Sequence, residues 1–294
     1  MFKSKFLKGV DLFNPHATYT LNNGVKIPVI GFGTWQVKNG EEAYHAVRNA
    51  LKAGYRHIDS AEGYFNEESV GKAIRDSGIP RHEIFLTTKI TNRHKTYEDA
   101  KQAIEDSLKR LGLDYIDLYL IHWPNPISCR PDYETRNKEL YRAMEDAYRA
   151  GKIRALGISN FRKHHIDALL KYATIKPTVN QILINPSDMQ EELVNYNESL
   201  DILTEGYSPF GTGKIFNVTS LVELSQKYHK TVGQVVLRWS LQHGYLPLPK
   251  TTTPTRIEEN LDIFDFKLEE EDIKTLDRLH GVTGLGTNPD ITTF

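Results

Sequence analysis

The feature that most limits the fold of this chain is an alternation that begins after Lys26 and runs almost to the C-terminus. Short runs rich in Ile, Leu, Val and Thr alternate with longer segments in which apolar residues recur with helical period. Short runs that are apolar throughout are typical of strands buried on both faces. We predict eight such strands, at residues 28–34, 57–61, 84–90, 116–122, 153–159, 178–182, 202–208 and 245–249.

The segments between these strands predict amphipathic helices. Two of them span residues 97–111 and 139–150, and each is followed by a glycine, Gly112 or Gly151, which tolerates the left-handed conformation of a C-cap. Asn66, followed by two glutamates, is a predicted N-cap.

Eight strands, each followed by a helix, predict an α/β fold closed into a (β/α)8 TIM barrel. An open doubly wound sheet is the alternative, because periodicity does not reveal closure. A β-hairpin is predicted ahead of the barrel at residues 19–26, around Asn23 and Gly24, and an extra helix after it at residues 269–280. Because no linker divides the chain, residues 1–294 are predicted to be a single domain.

Composition excludes several classes of partner. The chain has 294 residues and a net charge of -1, so bulk charge favours neither nucleic acid nor an anionic membrane. The single cysteine, Cys129, cannot form an internal disulfide. No signal peptide, apolar span of about 20 residues or zinc-type ligand spacing is found. We therefore expect a cytoplasmic protein without a metal.

Polar residues lie at or just beyond the carboxyl ends of three neighbouring predicted strands, where α/β proteins carry their chemistry. They are Asp59 and Tyr64, then Lys89, then His122. Tyrosine has an ordinary pKa of about 10, which a nearby ammonium lowers. Lys89 would supply that ammonium, Asp59 would hold it, and a neutral His122 would orient a carbonyl. The set suits proton donation to a carbonyl that receives hydride, although an ordinary structural ion pair is the alternative.

The sequence motifs, taken in order, resemble the aldo-keto reductase family from about Tyr19 to Asp290. They are G-F-G-T-W at 31–35, H-I-D-S-A-E-G-Y at 57–64, T-T-K at 87–89, I-H-W-P at 121–124, G-I-S-N-F at 157–161, N-Q at 180–181, Y-S-P-F-G at 207–211 and P-K-T-T-T-P-T-R-I-E-E-N at 249–260. Two places depart from the family pattern. Asn185 and Pro186 stand where many relatives have histidine and proline, and Glu205 and Gly206 stand where a small hydrophobic residue and alanine are usual.

The resemblance implies a monomeric enzyme that uses NADPH without a Rossmann domain. It implies that Tyr64 is the general acid, that Lys89 and Asp59 tune it, and that His122 orients the substrate. The implied cofactor-binding residues are Thr34 and Asp59 near the inner ribose, Ser159, Asn160 and Gln181 at the carboxamide, Tyr207 stacked on the nicotinamide, Ser208, Phe210 and Gly211 along the pyrophosphate, and Lys250, Thr251, Thr252, Arg256, Glu259 and Asn260 at the adenosine end. Trp35 is a further implied cofactor-binding residue. The implied substrate pocket includes Trp35, Tyr64, His122 and Trp123.

The segment from Lys250 to Asn260 has a physical argument of its own. Thr253 suits an N-cap and Pro254 the first helical position, which places Arg256 in the first turn. A cation there opposes the helix dipole, and a bound anion would remove the conflict. Lys250 and Arg256 would then bind the 2′-phosphate of NADPH. The alternative is that both are solvated surface charges.

The predicted function is therefore NADPH-dependent reduction of a small-molecule carbonyl. In the family that the chain resembles, the substrate pocket is lined by the segments after the fourth and seventh strands and by the C-terminal tail. These segments and the tail after His280 are short here, so the resemblance implies an open pocket for small aldehydes, dicarbonyls or keto-sugars. Within the family, the chain resembles glyoxal reductases, diketogluconate reductases and prostaglandin F synthases. One alternative is a non-catalytic barrel that binds nucleotide as a redox sensor or partner subunit. An isomerase or lyase with a phosphate substrate would not need the nicotinamide residues.

Overall fold

The computed structural model describes residues 4–284 and 286–293. The strands are β1 Thr18–Thr20, β2 Lys26–Pro28, β3 Phe32–Gly33, β4 His57–Asp59, β5 Phe85–Ile90, β6 Ile116–Ile121, β7 Ile153–Ser159, β8 Val179–Leu183, β9 Leu203–Tyr207 and β10 Leu246–Leu248. The α-helices are α1 Glu41–Ala53, α2 Glu67–Arg75, α3 Tyr97–Leu111, α4 Tyr133–Arg149, α5 Lys163–Leu170, α6 Glu191–Ser199, α7 Thr219–Tyr228, α8 Val232–His243, α9 Pro254–Leu261 and α10 Glu270–Asp277.

Strands β3 to β10 form one parallel sheet in chain order. The first and last strands are joined by backbone hydrogen bonds from Gly31 N to Pro247 O at 3.1 Å and from Gly33 N to Pro249 O at 3.0 Å. The sheet is therefore closed into a barrel, which confirms the predicted fold and excludes the open sheet. A Cβ on Gly31 would lie 2.6 Å from the His57 ring, so this junction requires glycine.

The predicted hairpin is confirmed: β1 and β2 pair in antiparallel fashion. Tyr19 is fully buried, and its hydroxyl donates to the carbonyl of Tyr245, immediately before β10. The hairpin therefore contacts the amino end of the barrel and leaves the carboxyl end accessible. The predicted first strand, 28–34, was too long, because Pro28 pairs with Thr18 in the hairpin and only Phe32–Gly33 joins the barrel.

Helix α3 has the predicted bounds. A capping box of Thr96 with Asp99 begins it, and Gly112 ends it in the left-handed conformation at φ +62°. Helix α4 begins at Tyr133, six residues before the prediction, because its first turns bury polar rather than apolar side chains, among them Arg136. An apolar period does not detect such turns. Helix α10 ends at Asp277, short of the predicted 280.

Asn66 precedes α2 as predicted, but its side chain makes no capping bond. Its Nδ2 instead donates to the carbonyls of Thr34 and Val37, at 2.9 and 3.0 Å, and its Oδ1 accepts from Ser60. Asn66 therefore ties together the segments that follow β3 and β4. Among the described helices, none has the length and apolar character to cross a membrane.

Candidate active site

The centre of the site is a buried ion pair between neighbouring strands. Lys89 in β5 donates from Nζ to both carboxylate oxygens of Asp59 in β4, each at 2.8 Å, and to the carbonyl of Ser60 at 2.8 Å. Lys89 is 0% exposed and Asp59 3%. Burial is the largest single effect and would lower the pKa of Lys89, but the charges and hydrogen bonds of its neighbours, with Asp59 first among them, together raise that pKa. Lys89 is therefore a charged group inside the barrel.

Tyr64 lies beside this pair, in the turn that follows β4. Its Oη is 3.4 Å from Lys89 Nζ, close enough for the ammonium to donate to it. Lys89 lowers the pKa of Tyr64 as predicted, but burial has the larger effect and Asp59 adds to it, so the net pKa is raised. The expectation of a net lowered pKa was wrong because it ignored desolvation. The phenol therefore keeps its proton at neutral pH.

His122 packs edge-on against Tyr64, with ring centroids 5.6 Å apart. Burial and the nearby Lys89 charge lower the pKa of His122 to about 3, so its imidazole is neutral, as predicted. Its backbone is fixed on both sides, because its N–H donates to Ile90 O at 3.3 Å and its carbonyl accepts from Asn160 Nδ2 at 3.0 Å. A neutral imidazole held in this way is suited to hydrogen bonding with a carbonyl oxygen.

The four residues predicted at the nicotinamide form a connected network at the ends of β7, β8 and β9. Tyr207 Oη donates to Asn160 Oδ1 at 2.8 Å, and Asn160 Nδ2 lies 3.1 Å from Ser159 Oγ. Ser159 Oγ donates in turn to Gln181 O at 2.8 Å. Gln181 Nε2 donates to Asp59 Oδ2 at 2.8 Å. These residues are thus brought together with the ion pair.

Glu205 is the residue in this network for which the sequence analysis found no role. It is 0% exposed in β9, and its Oε2 accepts from Gln181 Nε2 at 2.7 Å. Burial, followed by the repulsion of Asp59, raises the pKa of Glu205 to about 8. His57 is also fully buried, and its Nε2 lies 3.5 Å from Glu205 Oε1. The sequence analysis marked Glu205 only as a departure from the family pattern, and the available signal was a carboxyl group in the middle of a predicted strand.

Residues after β3 and β6 flank the same end of the barrel. Thr34 is buried and its Oγ1 donates to Asp59 O at 2.9 Å, whereas Trp35 is 46% exposed. Trp123 is half-buried, and its carbonyl accepts from Arg136 at 3.0 Å. The two tryptophans therefore follow strands whose carboxyl ends open on one rim.

The residues predicted at the far end of the cofactor follow β9 and β10. Thr253 occupies the N-cap position of α9 and Pro254 is its first residue, as predicted, although the Thr253 side chain makes no capping hydrogen bond. Arg256 therefore lies in the first turn. Within the described ranges, neither Lys250 nor Arg256 forms an ion pair, and both are exposed. The residues predicted at this end are, in the segment after β9, Ser208, Phe210 and Gly211 and, in the segment after β10, Lys250, Thr251, Thr252, Arg256, Glu259 and Asn260.

Helix α8 lies against both of these segments. A Cβ placed on Gly233 would lie 3.6 Å from both Asn260 Oδ1 and the Phe210 ring. Phe210 and Asn260, which are 50 positions apart in the chain, therefore border one small patch of α8.

The C-terminal tail packs beside the loop after β6. Asp290 Oδ1 accepts from Asn125 Nδ2 at 3.3 Å and lies 3.2 and 3.0 Å from the Nε2 atoms of His164 and His165. His164, His165 and Asp290 approach one another closely enough to hold a metal ion. However, His165 Nδ1 accepts from the backbone N–H of Arg162, which leaves the ring proton of neutral His165 on the Nε2 that faces Asp290. In this form His165 presents a proton and not a lone pair to the cluster, which disfavours ligation of a metal through that atom.

Comparison with known proteins agrees with this arrangement. The model of the aldo/keto reductase family matches residues 29–280. Glyoxal reductase from Bacillus subtilis (strain 168) is 46% identical over 273 residues, covering 93% of this chain and 96% of that protein. An aldo/keto reductase from Brucella melitensis has a TM-score of 0.84 at 44% identity, with 89% of this chain and 98% of that one covered. A Bombyx mori aldo-keto reductase in complex with NADP has a TM-score of 0.82 at 38% identity, with 90% and 92% covered. The chain therefore belongs to the aldo/keto reductase family and is an oxidoreductase.

Proposed function

We propose that this protein uses NADPH to reduce small aldehydes and ketones to alcohols, with Tyr64 as the proton donor. The observation that carries the proposal is the buried ion pair of Asp59 with Lys89, placed 3.4 Å from the Tyr64 hydroxyl at the open end of the barrel. A structural ion pair alone would not require a tyrosine hydroxyl and an imidazole to meet beside it at the open end of the barrel. Residues 1–294 would work as one reductase domain.

The residues present fit NADPH. Lys250 and Arg256 are exposed cations without a carboxylate partner in the described ranges, and Arg256 opposes the dipole of α9. A phosphate at this helix start would remove that conflict. At the other end, Ser159, Asn160 and Gln181 offer amide and hydroxyl groups suited to a carboxamide. When bound, NADPH would supply a hydride to the carbonyl carbon.

Residues of the chain would orient the carbonyl, donate the proton and stabilise the phenolate that forms. His122 would donate a hydrogen bond to the substrate oxygen and so orient the carbonyl. Tyr64 Oη would transfer its proton to that oxygen as negative charge develops there. The Lys89 ammonium would stabilise the resulting phenolate, and Asp59 would keep Lys89 charged and in place. Because Tyr64 has a raised pKa, the proton is present at neutral pH and leaves only when the oxygen becomes basic.

The substrate would be small and partly apolar. Trp35, Phe65 and Ile127, which lie in segments after β3, β4 and β6, are 46%, 72% and 55% exposed, so the rim is apolar. Two relatives are named glyoxal reductase and methylglyoxal reductase DkgA, from Bacillus subtilis (strain 168) and Escherichia coli (strain K12). We therefore propose small aldehydes, dicarbonyls or keto-sugars. The monomeric state, the cytoplasmic location and the lack of a nucleic-acid partner stay predictions of the sequence.

The test is a panel of carbonyls that includes glyoxal, methylglyoxal, a keto-sugar and a long apolar ketone. Each is incubated with NADPH or NADH, and loss of reduced-cofactor absorbance is followed. We expect turnover with the small carbonyls and NADPH. NADPH binding without turnover on any carbonyl would instead favour the non-catalytic redox sensor and overturn the proposal.

A further inference from the structure

Glu205 is a buried carboxyl group that the proposed mechanism does not use. It is the register partner of Gln181 in the neighbouring strand, and its Oε2 lies 2.7 Å from Gln181 Nε2. The same nitrogen lies 2.8 Å from Asp59 Oδ2. A primary amide has two N–H donors, so both are used by these two carboxyl groups. The Gln181 oxygen is the part of the amide left to accept a hydrogen bond from a ligand.

The two carboxyl groups hold this amide in different ways. The Asp59 carboxylate only accepts hydrogen bonds, so turning the amide over would place the Gln181 oxygen against Asp59 Oδ2. Glu205 Oε2 accepts from the same nitrogen and so holds the second N–H of the amide. With an apolar residue at position 205, that second N–H would lose its partner and the amide would be held at one point only.

The surroundings of Glu205 favour its neutral form. The charged or titratable groups that face it are His57 and Asp59 from β4, Lys89 from β5 and Tyr64, and the charge of Lys89 is already matched by Asp59. His57 is no counter-ion, because burial and then Lys89 lower its pKa to about 3. An unmatched buried charge is costly. Accordingly burial, followed by Asp59, raises the pKa of Glu205 to about 8.

We propose that Glu205 is a positioning residue, whose neutral carboxyl holds the Gln181 amide with its nitrogen inward and its oxygen toward the nicotinamide carboxamide. This role rests on the proposed function, since it requires Gln181 to contact NADPH. The neutral form does so without placing a second negative charge beside Lys89 and Tyr64. Ionisation of Glu205 would raise the pKa of Tyr64 further and make it a weaker proton donor.

The test compares Glu205→Leu, Glu205→Gln, Gln181→Leu and the double variant Glu205→Leu/Gln181→Leu. We expect Glu205→Leu to weaken NADPH binding about 3- to 10-fold, the scale of one hydrogen bond. In the Gln181→Leu background the same substitution should have no further effect, because the residue it acts through is gone. Glu205→Gln, which keeps an acceptor oxygen, should bind NADPH as the wild type does. The matched control is Thr204→Val, the preceding residue in β9, whose Oγ1 accepts from Asn197 Nδ2.

A pH profile separates this role from a structural one. At pH 6, Glu205→Gln should match the wild type in kcat/KM. The wild-type kcat/KM should fall through a step near pH 8 that Glu205→Gln lacks. This comparison also decides the question if Glu205→Leu does not fold by circular dichroism.

Two results would overturn the role of Glu205 alone, in a wild type that binds NADPH and reduces carbonyls. One is an equal loss of NADPH affinity when Glu205→Leu is introduced into the wild type and into the Gln181→Leu variant. The other is a pH profile that Glu205→Gln leaves unchanged. A wild-type protein that does not bind NADPH overturns the proposed function, and this role with it.

Discussion

The two ends of the proposed cofactor site differ in how their charges are held. In the barrel interior, the Lys89 ammonium is 0% exposed and has three oxygen atoms at 2.8 Å. At the start of α9, Lys250 and Arg256 are exposed and have no carboxylate partner in the part of the chain that the structure describes. The positive charge of Lys89 is therefore balanced by the protein itself, whereas the positive charges of Lys250 and Arg256 would be balanced only by a bound anion.

This difference indicates which function each region is suited to. A charge fixed inside a low-dielectric interior acts strongly on a neighbour and needs no rearrangement at the moment of reaction. Exposed cations are screened by water and salt, so they suit recognition of a phosphate. The interior should therefore determine turnover, and the α9 segment should determine which cofactor binds.

The largest expected effect comes from breaking the interior charge pair with Lys89→Met. Reduction should fall to background, because the charge that stabilises the Tyr64 phenolate is gone. Asp59 would become an unpaired buried carboxylate, which should cost about 3–5 kcal/mol of unfolding free energy. Carbonyl-dependent NADPH oxidation and urea denaturation measure the two effects.

The matched control for that variant is Lys274→Met, which removes an exposed lysine paired with Glu271. An ion pair between exposed side chains contributes little to stability, so both activity and stability should change little. If Lys89→Met kept its activity and pH profile, Asp59 and Lys89 would be an ordinary structural ion pair.

Tyr64→Phe tests the interior region separately from its ion pair, because it removes the proton donor and keeps Asp59 and Lys89. We expect kcat to fall by about 10²-fold or more, the usual contribution of a general acid. NADPH affinity should persist, because the hydroxyl is not assigned to the cofactor. Steady-state kinetics and fluorescence quenching by NADPH test the two statements. Tyr97→Phe, which removes an exposed hydroxyl bonded to Asp146, is the control. Wild-type turnover in folded Tyr64→Phe would contradict the mechanism.

The smallest effect is expected at the α9 segment. Arg256→Ala should weaken NADPH binding by about 1.5–3 kcal/mol, the scale of a charge-assisted hydrogen bond. NADH binding should change little, because NADH lacks the 2′-phosphate. Dissociation constants from fluorescence quenching for both cofactors measure this, with Arg142→Ala on α4 as the control. Equal losses for NADPH and NADH would mean that Arg256 acts on the fold instead.

Sequence reasoning reached most of the fold because the barrel repeats one local pattern. Helix α3, for example, has its capping box, its apolar stripe and its terminal Gly112 within one segment, and its predicted bounds were correct. The start of helix α4, at Tyr133, lies before the predicted residue 139. Its first turns are held by buried polar contacts of Arg136 with the distant carbonyls of Thr91, His94 and Trp123. A period of apolar residues carries no information about such contacts.

The sequence by itself determined the eight-strand alternation, the placement of Asp59, Lys89 and His122 at strand ends, and the first turn of α9. These depend on neighbours close in the chain, or on motifs that the family shares. Only the tertiary structure decided that the barrel closes through Gly31 and Gly33, and that Glu205 meets Gln181. It also decided that burial outweighs Lys89 in raising the pKa of Tyr64. Closure and burial depend on residues far apart in the chain, and desolvation exists only once the interior has formed.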